Sequence, residues 1–522
     1  MKLVIVHFHL RPGGIRRVIE LATPHLLRAA QPPITEVILA TGEAADPMWI
    51  SQFRSLLGDV PFTLYVEPTF CYFSEQQLPP ETLSRHIRSG LDHLLTGLGK
   101  GQALVWAHNL GIARNLLLTR ELARVCRHHE VPLLAHHHDW WFDNRWLRWP
   151  ELRRAGFRTL PAAAHALFPA NRFVRHLAIN HADASILKRF FPRSSGWLPN
   201  LMEPIPSPTP ERLEFAREWL QQELGAGDAP VWLLPCRFLR RKNVAEALLL
   251  TRWLRPEAWL ALTGPVSSAD ERFYHDRIQQ AARQHGWPLR IGLLQGPKGH
   301  KPSVPELLAV SEAVLLTSIQ EGFGLPFIEA AAAGRPLLAR KLPGIFPDLK
   351  RFGFAFPHAY DEILIHPELF EWDRERAHQQ ALFDHWKQTL PRACRDWVGT
   401  PALLKDATPR PVPFCRLTLQ GQLEVLAHDV QASWQRCAPL NPFLNVWRRR
   451  AREHRLRPSS WPTRADEWLS GAAYARRFFG LTSQPLPSQP QPEEIGVRAQ
   501  AWFMRKRLDT HHLFPLLWSR QS

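Results

Sequence analysis

The segment from Ala313 to Gly334 has few ways to fold other than as a strand, a tight turn and a helix. Ala313-Val314-Leu315-Leu316-Thr317-Ser318 is a short apolar run with the length of a buried strand. Glu321-Gly322-Phe323-Gly324-Leu325-Pro326 supplies a glycine-rich turn, and Ile328 to Ala333 supplies a run of helix-forming alanines that stops at Gly334. A strand that feeds a helix through glycines brings backbone N–H groups and the positive helix end to one point, where a bound anion is favoured. Glu321 and Glu329 stand eight residues apart across this turn. Carboxylates at an anion site would repel a phosphate. Sugar hydroxyls, which donate to carboxylate oxygens, are their better targets.

The same alternation of strand and helix extends along most of the chain. Strands are predicted at residues 2–8, 36–40, 103–107 and 132–136, with helices over about 15–30 and 112–129. Residues 182–200 read as the end of this first half. The proline-rich stretch 204–210 opens a hinge extending to 230. A second half starts with a strand at 231–235 and alternates through about 350. Strands alternating with helices imply parallel sheets and an α/β class. With 522 residues, at roughly 100–200 per domain, two or more domains are expected. The divisions read from the sequence are 1–203, 204–230, 231–440 and a basic, tryptophan-rich helical extension over 441–522. Within the tail, residues 417–426 have helical period, 482–494 read as a linker, and 497–518 read as a terminal amphipathic helix.

Composition narrows the classes. The six cysteines are scattered, with no C-x-x-C pair, which argues against a zinc ribbon or a disulfide scaffold and suits a reducing compartment. No run of about 18 apolar residues offers a membrane span, and residues 1–8 lack a signal-peptide pattern. The expected location is cytoplasmic. The net charge of +17 is concentrated in part at 447–457 and 504–507. Phosphorylated substrates and an anionic membrane face, reached peripherally, both suit that charge. Nucleic acid is not expected, because no binding motif accompanies it.

Glu321-Gly322-Phe323-Gly324-Leu325-Pro326-x-x-Glu329 resembles the E-x7-E motif of retaining nucleotide-sugar glycosyltransferases of family 4. Gly334-Arg335-Pro336-Leu337-Leu338-Ala339 resembles the strand that follows the motif there. The resemblance covers about residues 1–350. It implies a GT-B fold: α/β, two Rossmann-like domains facing a cleft, with an extended helical C-terminal region. Gly13 and Gly14, followed by Arg16 and Arg17, resemble the family's glycine loop after the first strand. Arg237 and Lys242 resemble the pair that holds the donor diphosphate, although Cys236 and Asn243 stand where glycines are usual. Asn200 resembles the asparagine of a P-N-G turn, here followed by Leu201.

Residues 131–139 read as a strand ending in His136-His137-His138, and the resemblance puts the site histidine at His138. Neighbours on a strand point to opposite faces, so the three adjacent histidines are not expected to hold a metal. His108 also ends a strand. Trp140, Trp141, Trp146 and Trp149 follow the histidines and offer either a sugar-stacking platform, a lid or a buried cluster.

The resemblance therefore implies transfer of a sugar, with retention, from a nucleotide-diphosphate donor to a hydroxyl, in glycan or glycolipid synthesis. The donor is a substrate, and no cofactor is expected. Glu329 would bind the ribose and Glu321 the donor sugar, with Gly322, Phe323 and Gly324 beside sugar and phosphate. Arg237 and Lys242 would stabilise the departing diphosphate. Domain closure would exclude water. A glycan or lipid-linked acceptor is expected. The competing readings are a sugar phosphorylase of the same fold and a non-catalytic nucleotide-sugar binder.

Overall fold

The structure is a computed structural model that describes residues 1–99, 101–202, 206–225, 227–266, 268–296, 299–405 and 408–519. The chain divides into two compact units. One holds Met1–Glu203, Thr389–Trp397 and Arg464–Arg507, and the other holds Pro204–Gln388, Val398–Thr463 and Leu508–Ser522.

The first unit is built on seven parallel strands: β1 Lys2–Val6, β2 Glu36–Thr41, β3 Phe62–Val66, β4 Ala103–His108, β5 Leu133–His137, β6 Val174–Ala178 and β7 Ser195–Trp197. Their order is β3-β2-β1-β4-β5-β6-β7. The central strands are apolar from Leu3 to Val6 and from Ala103 to Ala107 because helices cover both faces of a parallel sheet. The helix Gly14–Ala29 buries Val18, Ile19, Ala22 and Leu26, a stripe at helical spacing, against this sheet. The expected helix over 112–129 is shorter, Leu116–His128, and a 3-10 turn at Leu110–Ile112 precedes it.

The second unit has six parallel strands: β8 Val231–Leu234, β9 Trp259–Leu262, β10 Leu289–Arg290, β11 Ala313–Leu316, β12 Leu337–Arg340 and β13 His358–Tyr360. Their order is β10-β9-β8-β11-β12-β13. In both sheets the strand order reverses once, between β1 and β4 and between β8 and β11. Ligands of such sheets bind past the strand C-termini at that point. The turns after β1, β4, β8 and β11 are therefore the places to look for chemistry.

Several sequence divisions change. The stretch read as a hinge, 204–230, is mostly the helix Pro210–Leu224, which Arg212 ties to Glu306 at 2.7 Å. Pro204 and Ile205, at its start, lie outside the described residues. The region 441–522 is not one extension. Its helix Pro442–Arg452 belongs to the second unit, whereas helices Gly471–Thr482 and Glu493–Arg507 return to the first. Tyr474, Ala475 and Phe478 join the same apolar core as Ile19 and Trp106. Gly471 permits the approach, since a Cβ there would lie 2.0 Å from His25 Nε2. The terminal helix ends at Arg507 rather than running to 518. Among the described residues it is followed by 3-10 turns at Thr510–His512 and Pro515–Leu517.

Candidate active site

In the second unit, β8 leads into a 3-10 turn, Arg240–Lys242, and β11 leads into the glycine turn. The two turns are sewn together. Thr317 Oγ1 donates to the carbonyls of Lys242 at 2.9 Å and Asn243 at 3.0 Å, and the Ile319 amide donates to the Arg241 carbonyl at 2.8 Å. Asn243 takes a left-handed conformation, φ 47°, before the helix Val244–Leu254. Asparagine tolerates that region better than most side chains, which explains how it can replace a glycine there. Its Nδ2 donates to Glu246 at 3.0 Å, and buried Glu246 also accepts from Tyr360 at 2.6 Å and pairs with Arg340. The ends of β12 and β13 thereby brace the turn that carries Lys242.

Glu321 is held on three sides. Lys242 Nζ pairs with its Oε1, Ser318 Oγ donates to the same oxygen at 2.7 Å, and Arg241 Nη1 lies 2.7 Å from Oε2. Burial alone would raise the Glu321 carboxyl, but Arg241 and Lys242 outweigh it and hold the group down to about 2. Arg241 and Ser318 had no signal in the sequence. A 3-10 turn has no apolar period to reveal which side chain turns inward, and Arg241 reads as solvent-facing. It is instead part of the site. Arg240 is also engaged, with Glu271 at 3.2 Å and the Ser519 carbonyl. Arg237 is exposed, and among the described residues none pairs with its guanidinium. Cys236 is buried, and burial pushes its thiol up to about 11.

Past Glu321, Gly324 adopts φ 85° as the residue before the helix Leu325–Ala332. Glycine is required there on two counts. The conformation strains any L side chain, and a Cβ would lie 3.0 Å from Ile345 Cγ2 and 3.1 Å from Phe327 Cδ2. Phe323 is buried and Gly322 is half-buried. Glu329 is half-buried on the second turn of that helix.

In the first unit, Gly13 and Gly14 lie exposed at the start of the helix Gly14–Ala29. Gly13 is extended, φ 171°, and nothing lies within 4 Å of a Cβ on Gly14, so the fold itself demands neither glycine. Arg17 pairs with Glu20 at 2.9 Å, and Arg16 lies over the Trp49 ring at 5.3 Å.

The histidines divide by face. His137 turns one way, stacks on Trp140 at 4.4 Å and meets His176 at 3.1 Å in the core. His136 and His138 stand two residues apart and share the other face. The β4–β5 register brings His108 opposite His136, and His108 Nδ1 lies 3.1 Å from His138 Nε2. Three imidazoles therefore converge, but not the three of the run: His137 points away, as alternation predicts, and the third ring is His108 from the neighbouring strand. Burial, reinforced by the neighbouring histidines, holds His108 and His138 well below the ordinary imidazole range, and burial brings His136 to about 4. All three are neutral at pH 7. Asn200 is buried near the end of this sheet, and its Oδ1 has no hydrogen-bond partner among the described residues.

The tryptophan run is the buried cluster. Trp140, Trp141 and Trp146 are almost fully enclosed, and Trp140 Nε1 donates to Asp183 at 2.9 Å. These rings are not available as a platform for a sugar.

Two reversed parallel sheets, with a cationic turn beside a carboxylate and a glycine-capped helix, define a GT-B glycosyltransferase. Residues 216–354, which contain this site, match the family described as glycosyl transferases group 1. Mannosylglucosyl-3-phosphoglycerate synthase of Petrotoga mobilis is 23% identical over 381 residues, 70% of this chain and 69% of that protein. Among solved structures, HepE of Anabaena, in complex with UDP and glucose, superposes with a TM-score of 0.51 at 14% identity, covering 93% of this chain and 100% of HepE. A glycosyltransferase from Rickettsia africae gives 0.50 at 10% identity, covering 92% and 98%. Among the described residues, no helix is long and apolar enough to cross a membrane.

Proposed function

We propose that the protein transfers a sugar, with retention at the anomeric carbon, from a nucleotide-diphosphate donor to an acceptor hydroxyl. The observation that carries the reading is the buried Lys242–Glu321–Arg241 cluster at the head of the glycine turn. Two cations and one carboxylate leave one positive charge, and Arg237 adds a second. That balance suits a diphosphate whose negative charge grows as the sugar leaves. Cations fixed in advance stabilise the growing charge more than the ground state. Glu321 keeps Lys242 aimed and offers its oxygens to donor-sugar hydroxyls. The Gly322–Gly324 backbone faces sugar and phosphate, and Glu329 takes the ribose hydroxyls.

Within the first unit, neutral His138 offers a hydrogen bond to a hydroxyl, and the open glycine loop at Gly13 and Gly14 admits a ligand to the backbone. No side chain is assigned as a nucleophile. The leaving phosphate takes the acceptor proton. HepE binds UDP and glucose, and the Petrotoga relative is named for a phosphoglycerate product. A uridine donor and an acceptor bearing an anionic group are the first combinations to try, and the second suits the +17 charge. A glycan or lipid-linked acceptor at an anionic membrane face is the further arm.

The test is a panel of nucleotide sugars read by thermal shift, nucleotide release and product mass. One donor is expected to give all three signals. Silence on every donor would overturn the reading. Glu329→Ala is expected to weaken donor affinity about 10-fold or more while leaving Tm within a few degrees. An unchanged affinity would remove Glu329 from the nucleotide site.

A further inference from the structure

Three imidazoles from two adjacent strands meet where β4 and β5 end. His108 closes β4, His136 lies beside it in register on β5, and His138 follows directly after that strand. One ring nitrogen from each lies within 4.8 Å of the other two. The ring centroids are 5.6 Å apart for His108 and His136, 5.4 Å for His108 and His138, and 4.6 Å for His136 and His138. The group stands at the carboxyl ends of a parallel sheet, the end at which such sheets bind ligands.

The hydrogen bonds around the cluster leave it incomplete. His136 Nε2 lies 3.1 Å from the Leu198 carbonyl, which can only accept, so this nitrogen carries the proton. Its Nδ1 then presents a lone pair, and that buried atom has no partner among the described residues. His108 Nδ1 and His138 Nε2 share one contact, and His108 Nε2 is likewise buried without a partner. Buried polar atoms normally find partners, so the orphaned lone pair of His136 Nδ1, beside two ring nitrogens that share a single contact, needs an explanation. A protein carbonyl that fixes the tautomer of a ring, leaving the opposite nitrogen to bind, is the usual support of a metal-ligating histidine.

We infer that His108, His136 and His138 form a binding site for one divalent transition-metal ion of the zinc class. Zn–N bonds of about 2.0–2.1 Å in a tetrahedron put ligand nitrogens about 3.3 Å apart. The His108–His138 contact of 3.1 Å is already close to that spacing. The remaining separations, bounded at 4.8 Å, must close by up to about 1.5 Å, within reach of modest ring rotations. Three imidazoles with no carboxylate in the group select zinc, cobalt, nickel or copper over magnesium or calcium. Three protein ligands leave the fourth position to a water or a hydroxyl oxygen. His138 is half-buried at the rim, so that position is not sealed inside the core. The site lies wholly in the first unit and is independent of the diphosphate-binding cations in the second.

The test needs no sugar substrate. The intact protein is stripped with a chelator, dialysed, and titrated with Co²⁺ under visible absorption and with Zn²⁺ by calorimetry. The expected result is uptake of one equivalent with the d–d bands of a tetrahedral nitrogen site. His138→Ala, at the rim, is expected to weaken Zn²⁺ binding at least 100-fold, and His108→Asn is expected to do the same. His128→Ala, which alters an exposed histidine elsewhere, is expected to change nothing. No bands and no uptake in the intact protein would overturn the inference, as would uptake that survives unchanged in a folded His138→Ala protein. Because no donor is present, this outcome is read separately from any failure of sugar transfer.

Discussion

Lys242 and Glu321 lie 79 residues apart in the chain and form a buried ion pair, with the second Glu321 oxygen held by Arg241. The pair joins the side chains of the turn after β8 to those of the turn after β11, beside the hydrogen bonds from Thr317 and Ile319. It couples the group that would hold the diphosphate to the carboxylate that would meet the sugar. A pair this enclosed is costly to break from one side, because the remaining charge is left in a poor solvent.

A double-mutant cycle on this pair therefore has a defined shape. Lys242→Met and Glu321→Gln are each expected to cost about 3–5 kcal/mol of stability by urea denaturation. The double variant is expected to cost less than their sum, with a coupling on the order of 1–3 kcal/mol. Strict additivity would show that the two side chains do not act on one another. Donor turnover is expected to fall by about 100-fold or more in Lys242→Met, the range seen when a fixed electrostatic group is removed.

Two acid windows follow from the shifted groups. Glu321 is depressed to about 2 in the folded chain, against 4.5 when free. It therefore stabilises fully above about pH 4.5, and that stability, roughly 3 kcal/mol, is lost as pH falls toward 2. His358 is brought to about 4 by burial, with Arg450 and Arg457 adding to the effect. The unfolded chain takes up the proton from pH 6.5 downward and the folded chain does not until about 4. The contribution of His358 to stability thus falls by about 1.4 kcal/mol per pH unit across that window. His358→Gln is expected to remove only its own share of the slope between pH 6 and 4.5, the rest coming from the other buried histidines, among them His7, His136 and His176, and Glu321→Gln is expected to flatten the curve only below 4.5. Urea midpoints across pH read both.

The fold demands a glycine at 324 and does not demand one at 14. Gly324→Ala strains a φ of 85° and presses a Cβ against Ile345 and Phe327, so a stability loss of about 1–2 kcal/mol is expected. Gly14→Ala places its methyl in open space at the first residue of a helix, and stability is expected to hold or rise by about 0.4–1 kcal/mol. If a ligand approaches that backbone, turnover drops in Gly14→Ala while Tm does not. Loss of neither would leave the glycine loop without a role.

The strand, turn and helix around Glu321 were legible in the sequence because their signals are local. The apolar run of β11, the glycines at 322 and 324 and the alanines of the following helix lie within about twenty residues. Arg241, Ser318 and the Glu246–Arg340–Tyr360 brace were not legible. Their roles depend on where β8, β11, β12 and β13 come to lie together, and nothing in local spacing records that order. The histidines show the same limit from the other side. Alternation correctly sends His137 away from its neighbours, but the third imidazole comes from His108, on a strand whose register is fixed only by the sheet. The C-terminal segment was misjudged because helical period alone does not say what a helix packs against. Trp140, Phe168 and Phe503 gather around one another only because the helix Glu493–Arg507 returns to the first unit.

Arg507 is the polar anchor of that return. Its Nε lies 2.5 Å from Asp143 Oδ1 and its Nη2 lies 2.9 Å from Asp183 Oδ1, with all three groups buried or nearly so. Asp183 also accepts from Trp140, so the guanidinium holds in place the loop that follows the histidines. Arg507→Ala would leave two carboxylates enclosed without their cation. Burial already pushes Asp143 upward, and loss of Arg507 removes the larger of the two cations that oppose that push, leaving Arg145. A cost of about 3–5 kcal/mol is expected, the range for an orphaned buried charge. Arg507→Lys is expected to recover less than half of it, because an ammonium cannot span two carboxylates as a planar fork does. Asp143→Asn combined with Arg507→Met removes both a carboxylate and the cation, and is expected to be more stable than Arg507→Ala. Thermal unfolding of the three variants checks the order. If Arg507→Ala proves the most stable of them, the helix is held by its aromatic face alone.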